Sequence, residues 1–215
     1  MTKSNRPSSV LLASGGLDST TLAYWLKDRQ IIFRPLFIDY GQHFAKTELD
    51  SLQNNLPGEY KTFIEIINVR DIYKGCKSIL ISEPNLWNDN VSYKDMYIPY
   101  RNLLFLSIAA AYAQTNGLDK VYSAFINSNH AQEIDCSADF FNQLEILLSE
   151  YGSVSIEMPF RNMTKYEVAK IGISLKAPIG KTFSCQASSD IPCGACPNCV
   201  DRLNALENLY QSVDS

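Results

Sequence analysis

Val10-Leu11-Leu12-Ala13-Ser14-Gly15-Gly16-Leu17-Asp18-Ser19-Thr20-Thr21-Leu22 is the stretch whose reading decides the fold. A short apolar run ends in two glycines, and Leu22, Ala23, Trp25 and Leu26 then recur at helical spacing through Asp28. The pattern is strand, tight glycine turn, helix. Ligands of open α/β sheets bind beyond the carboxyl ends of the strands, so this turn predicts a phosphate site. Gly15 and Gly16 let the backbone approach an anion and adopt positive φ. The first amides of the helix and its dipole favour negative charge, and Ser14, Ser19 and Thr20 add hydroxyl donors. Neither G-x-x-x-x-G-K-[ST] nor G-x-G-x-x-G occurs here, which removes the main support for a kinase-type NTPase or a dinucleotide site.

Outward from the loop, strands and helices alternate. Ile31 to Ile38 is rich in β-formers and ends at Asp39-Tyr40-Gly41; Pro35 cannot donate a ladder hydrogen bond and belongs near the strand start or at a bulge. A helix is expected from about Ala45 to Leu56, a strand over Thr62 to Ile67, and a long functional loop from Asn68 to Pro99. Arg101 to Thr115 reads as a buried helix, Lys120 to Ala124 as a strand, Ala138 to Ser149 as an amphipathic helix and Ser155 to Met158 as a fifth strand. Thr164-Lys165-Tyr166-Glu167 has capping-box spacing and opens a helix reaching about Ser174. The alternation predicts an α/β fold: an open parallel sheet of about five strands, Rossmann-like, with helices on both faces. A nucleotide-binding domain over 1–180 and an appendage over 181–215, with a C-terminal helix, are expected.

The chain has 215 residues, 46% hydrophobic and 20% charged, enough for a core that needs no disulfides. Its formal charge of -4 gives no global attraction to nucleic acid or to an anionic membrane. The apolar run before Ala13 is too short for the h-region of a signal peptide, and no stretch reads as a membrane helix. A cytoplasmic location is therefore expected, which makes metal binding or catalysis a better reading of six cysteines than disulfides. Cys185, Cys193, Cys196 and Cys199 form C-x7-C-x2-C-x2-C, with Pro192, Gly194 and Pro197 allowing tight turns. Four thiolates at this spacing suit one structural Zn²⁺; an iron–sulfur cluster and a redox pair are the competing readings. Cys76 and Cys136 lack a close partner and default to no chemical role.

The run Ser14 to Ser19 resembles the S-G-G-x-D-S signature of the PP-loop ATP pyrophosphatases. Together with the four cysteines, Asp39-Tyr40-Gly41-Gln42, Arg101 to Ser107, Asp135-Cys136 and Thr164-Lys165, it resembles the QueC family of 7-cyano-7-deazaguanine synthases over most of the chain. The resemblance implies that Leu12, Ala13, Ser14, Gly15, Gly16, Leu17, Asp18, Ser19, Thr20, Thr21 and Leu22, with Asp39 and Gln42, hold ATP. It makes Ser14, Asp18, Arg101 and Lys165 the catalytic candidates, with Asp18 organising Mg²⁺, Arg101 facing ligand and Lys165 reaching phosphates. Bland alternatives are a helix-terminal charge for Asp18, a turn cap for Asp39 and a solvated first-turn lysine for Lys165. His43 could assist proton transfer.

The implied chemistry adenylates 7-carboxy-7-deazaguanine, lets ammonia displace AMP to give the amide, and activates the amide again for dehydration to the nitrile. A homodimer is expected from the same resemblance. Two places depart from the family pattern: Tyr100 stands where Pro-Gly-Arg-Asn has glycine, and residues 127–139 differ from the recognition loop Tyr-Ser-Gly-Tyr-Pro-Asp-Cys and the Arg-Pro-Glu after it. Three alternatives follow: a relative that joins the activated acid to another amine, such as a protein N-terminus in anti-phage defence; a PP-loop RNA-modifying enzyme, disfavoured by the lack of a basic extension; and a non-catalytic zinc and nucleotide binding module.

Overall fold

A computed structural model of the chain describes residues 6–89, 91–126 and 136–211. The elements are β1 (Ser9–Leu12), α1 (Leu17–Asp28), β2 (Phe33–Asp39), α2 (Ala45–Asn55), β3 (Glu65–Asn68), α3 (Arg101–Thr115), β4 (Lys120–Tyr122), α4 (Ala138–Tyr151), β5 (Ser155–Glu157), α5 (Lys165–Ser174) and α6 (Pro197–Gln211). The sheet is parallel throughout, in the order β3-β2-β1-β4-β5. After β1 the chain steps outward through β2 and β3, then returns to place β4 on the other side of β1. That reversal opens a crevice at the carboxyl ends of β1 and β4.

Pro35 is the third residue of β2. The Leu36 carbonyl accepts from the Ala13 amide on the β1 side, so Pro35 presents its nitrogen to the β3 side, where pairing starts one residue later at Leu36. The missing donor thus falls where the ladder has not begun. β3 starts later than its apolar run suggests, at Glu65, and as an edge strand it leaves Ile66 half exposed.

Helices α1, α5 and α6 stack on one face, where Leu17, Leu22, Leu26, Phe33, Phe160, Val168, Ala205 and Leu209 share a core. Gly172 sets the α1–α5 approach: a Cβ there would lie 2.7 Å from Thr21 Oγ1 and 2.8 Å from Ile179 Cγ2. α3 and α4 cover the other face through Ala109, Ala113, Leu106, Phe141 and Leu144. The capping box of α5 is formed, with Thr164 Oγ1 accepting from the Glu167 amide at 3.3 Å and Glu167 Oε2 accepting from the Thr164 amide at 2.7 Å. The long segment between β3 and α3 carries short helical turns at Arg70–Tyr73 and Tyr93–Met96.

The cysteine-rich segment packs against the sheet: Cys185, Cys196 and Cys199 are buried with Ile38, Tyr40, Phe44 and Phe183. Arg202 of α6 ties this end together, donating to Thr182 Oγ1, to the Ile179 carbonyl at 2.7 Å and to the Gly180 carbonyl at 3.2 Å.

Candidate active site and metal centre

A cavity of about 260 Å³ opens at the switch point. One wall is the glycine loop, with Leu12, Ala13, Ser14, Gly16, Leu17, Asp18 and Ser19. The Thr20 amide bonds back to the Gly16 carbonyl at 3.0 Å, so the amides left over at the start of α1 are those of Leu17, Asp18 and Ser19. Hydroxyls brace the loop from within: the Ser14 amide donates to Ser19 Oγ at 3.3 Å, and Ser19 Oγ donates to the Gly16 carbonyl at 3.3 Å.

The two glycines divide the work. Gly15 has φ +78°, and a Cβ on it would lie 2.4 Å from the Glu48 carbonyl oxygen and 2.7 Å from the Leu52 amide nitrogen. Its carbonyl accepts from Ser51 Oγ at 2.7 Å, so positive φ and a missing side chain let the loop lie directly on α2. Gly16 has φ -75°, faces the cavity, and a Cβ there would meet nothing closer than Ser14 Oγ at 3.4 Å. The expectation that both serve an anion by positive φ is thus met in parts: Gly15 supplies the φ, Gly16 the open face.

Thr20, Thr21 and Leu22 turn inward, at 1%, 0% and 0% exposure, and stand outside the cavity lining. α1 rotates them toward α5 and the sheet, while Asp18 and Ser19 stay on the open side. Asp39, the last residue of β2, is likewise outside the lining. Its carboxylate receives Arg70 Nε at 2.8 Å, Arg70 Nη2 at 2.6 Å and the Gly41 amide at 3.1 Å. Burial opposes its charge, but these bonds outweigh burial and hold the carboxyl below its ordinary range.

Lys165, at the first position of α5, reaches across to Asp18, Nζ to Oδ2 at 2.5 Å, with both side chains about a fifth exposed. It lines the cavity and is not a solvated surface lysine. Asp18 Oδ1 is buried and has no hydrogen-bond partner among the described residues, so half of this cavity-lining carboxylate is left without protein satisfaction. Arg101, the first residue of α3, stands in the opposite wall with Asn102, Phe105, Tyr40, Gln42 and Glu48. Gln42 is the hub there: Oε1 accepts from the Tyr40 amide at 2.9 Å and Nε2 donates to Glu48 Oε2 at 3.1 Å.

Burial pushes the Tyr40 phenol well above its usual range although the Arg101 side chain hydrogen-bonds it, and burial also pushes the Glu48 carboxyl up to about 8. Tyr100, before Arg101, is a left-handed residue at φ 54° with its ring 72% exposed, a conformation that favours glycine. Residues 127–135 of the divergent recognition loop, His130 and Asp135 among them, lie outside the described residues. Cys136 begins the described chain again and accepts from the buried Asn102 Nδ2 at 2.9 Å.

A third wall comes from the cysteine-rich segment: Phe183, Ser184, Gln186 and Asn198. Sequence reasoning missed these residues, although a signal existed, since Ser184 and Gln186 flank Cys185 and Asn198 lies between Cys196 and Cys199. The four Sγ atoms lie within 4.8 Å of one another, and Cys185 to Cys196 is 4.0 Å. Tetrahedral Zn–S bonds of about 2.3 Å separate sulfurs by roughly 3.8 Å, so the cluster fits a metal of that geometry. Hydrogen bonds from Cys196 and then Cys199 hold the Cys185 thiol low, while the same contacts push the Cys196 and Cys199 thiols up, so a cation would have to displace those protons as it binds.

His43 points to this segment and away from the cavity: Nδ1 is 2.7 Å from Ser189 Oγ, which also donates to Glu83 Oε2 at 2.9 Å. Burial holds the imidazole below its usual range, so its place is a neutral tether, not the cavity's proton carrier.

A parallel sheet whose first strand delivers a serine- and glycine-rich loop and free helix amides to the switch point defines a PP-loop nucleotide-binding α/β protein. The family model described as "Queuosine biosynthesis protein QueC" matches residues 8–210. The chain belongs to the QueC family. It is 35% identical over 209 residues to the 7-cyano-7-deazaguanine synthase of Picrophilus torridus, covering 92% of this chain and 86% of that protein. The synthase of Nitratiruptor sp. is 29% identical, with 93% of each chain covered. Among solved structures, a 4-thiouridine synthetase–RNA complex with bound ATP aligns at 19% identity and a TM-score of 0.47, covering 96% of this chain and 50% of that one. Among the described residues no helix is long and apolar enough to cross a membrane.

Proposed function

We propose that the chain is an ATP-dependent carbon–nitrogen ligase that converts 7-carboxy-7-deazaguanine and ammonia to 7-cyano-7-deazaguanine through an acyl-adenylate and the amide. The observation that carries this reading is the cavity itself, which sets free α1 amides and the Asp18–Lys165 pair on one side and Arg101 on the other. The family and the names of its relatives support the substrate.

In this reading the loop amides and Lys165 hold the pyrophosphate end of ATP and stabilise the charge that builds as it leaves. Asp18, with its unsatisfied buried oxygen, is the side chain that would hold Mg²⁺, which when bound neutralises phosphate charge. Ser14 lends its hydroxyl to the same oxyanions, and Arg101 orients the substrate carboxylate for in-line attack on the α-phosphate. No side-chain nucleophile enters the sequence of steps. The four cysteines would hold one structural Zn²⁺, fixing Ser184, Gln186 and Asn198 in the third wall.

Mass spectrometry of products from ATP, 7-carboxy-7-deazaguanine and ammonia tests the proposal. AMP, pyrophosphate and the nitrile are expected. Tyr100 in a glycine-type conformation favours one second reading, in which the activated acid passes to another amine; acid-dependent AMP release without nitrile would replace the first reading with the second. ATP binding without turnover would overturn both.

A further inference from the structure

Glu48 is a cavity carboxyl that the adenylation chemistry above does not use. It lies in the first turn of α2, directly beside the glycine loop, because Gly15 rests on its backbone. Its side chain lines the cavity between Gln42 and Arg101. Gln42 Nε2 donates to Oε2 at 3.1 Å, and no hydrogen bond reaches Oε1 from the described residues. One oxygen is therefore anchored by a residue only 3% exposed, and the other is free to meet a ligand.

The cavity walls supply cations, amides and phenol in plenty: Lys165, Arg101, the loop amides and Tyr40 all stabilise or donate. A reaction that joins an amine to an acyl-adenylate also needs a group that takes a proton away. Ammonia exists mainly as ammonium at neutral pH, and ammonium has no lone pair to attack with. Of the two other carboxylates near the loop among the described residues, Asp18 is paired with Lys165, and Asp39 is bound to Arg70 outside the lining.

We propose that Glu48 is the proton acceptor for the incoming amine. This rests on the ligase reading above. Ammonium gives one proton to Glu48 Oε1 and becomes ammonia. The nitrogen lone pair then attacks the acyl carbon, the C–N bond forms, and the acyl–oxygen bond to AMP breaks. Of ammonium's four hydrogens, two remain on the amide, one is on Glu48 and one leaves on the AMP phosphate. Glu48 then loses its proton to solvent.

The partly buried setting suits this task. Burial raises the carboxyl to about 8, so the carboxylate that accepts the proton is a minor form at neutral pH and grows as pH approaches 8; once formed it is nearer to the basicity of an amine than an exposed glutamate would be. Among the described residues the groups facing it are few: Arg101 from α3 acts on it as a cation, Tyr40 beyond β2 is the titratable neighbour, and Gln42 is neutral. On α2 itself, Lys46 and Asp50 pair with each other at 2.8 Å.

The test uses the full chain and separates two half-reactions, acid-dependent ATP–pyrophosphate exchange and amide formation from ammonium. In Glu48→Gln, which keeps an acceptor for Gln42, amide formation should fall by about 100-fold, the low end of general-base effects, and by far more than exchange falls. Hydroxylamine is unprotonated at neutral pH, so with it as acceptor the variant's deficit should shrink at least tenfold, and with ammonium it should shrink likewise only once the solution is alkaline enough for free ammonia to predominate. Glu48→Asp should restore part of the neutral-pH amide rate. Equal losses of exchange, amide and hydroxamate would make Glu48 a structural residue and overturn the proposal, as would an unchanged amide rate. Absence of acid-dependent exchange in the unsubstituted protein would overturn the ligase reading itself, a distinct result.

Discussion

The two sides of the cavity are built on different principles. The glycine loop is one contiguous stretch, Leu12 to Ser19, in which each residue's task follows from its neighbours: a strand ends, a helix starts, and the amides between them are left free. The facing wall is assembled from α2, α3, the turn after β2 and the cysteine segment, drawing Tyr40, Glu48, Arg101, Ser184 and Asn198 from remote parts of the chain. A contiguous site fails locally when it is changed; an assembled one fails when whatever holds its parts together is lost.

The largest expected effect lies on the assembled side. Removing metal by chelation, or making Cys196→Ser, should collapse the third wall along with the buried cluster beneath it. About 3–5 kcal/mol of lost stability would lower the melting temperature by roughly 10 °C for a chain of this size. Metal analysis should give about one zinc per folded chain. If the melting point and ATP affinity survive demetallation, the segment stands without its ion and the contrast disappears.

Next comes the loop's own charge pair. Asp18→Asn keeps shape but removes the charge that meets Lys165, and acid-dependent pyrophosphate exchange should drop by about 100-fold with little change in melting. A large melting shift instead would make the pair a structural clamp between α1 and α5.

The two glycines sharpen the comparison inside the loop. Gly15→Ala drives a Cβ into the backbone of α2 and strains a positive φ, so a loss of about 2–4 kcal/mol is expected by denaturant unfolding. Gly16→Ala meets no such contact and should cost less than about 1 kcal/mol while weakening ATP binding. Equal destabilisation would contradict the division of labour.

The smallest effect is a pH dependence. The Glu48 carboxyl is raised in the fold, so its contribution to stability is complete below its ordinary value of 4.5 and is lost as pH climbs through about 8. Glu48→Gln cannot ionise, so its advantage in melting temperature should grow across that window and level off above it. A flat difference from pH 5 to 9 would mean the carboxyl is not buried as described. A residue whose removal stabilises the fold is held there for another reason, as groups in active sites often are.

What was legible in the sequence is what short-range chemistry dictates. The β1–loop–α1 unit, the capping box at Thr164, the limits of α3 and the four-cysteine spacing follow from periodicity, amide satisfaction and ligand count, and each stands in the structure within a residue or two. Lys165 was legible as a candidate, but its alternatives as surface lysine or cavity cation are separated only by the fold, which carries it across 147 positions to Asp18. Asp39 reads as part of the site by its place after β2, yet Arg70 claims it, and nothing between residues 39 and 70 announces that pairing. Glu48 is one more polar residue on a helix until Gly15 presses the loop against it and Gln42 reaches over. By itself the sequence determined where backbone amides would be left unpaired and where four sulfurs could close on one ion, because both depend on spacing along the chain. Which charges face the cavity, and which are spent on each other, was decided only by tertiary packing, because burial and partnership are properties of neighbours in space.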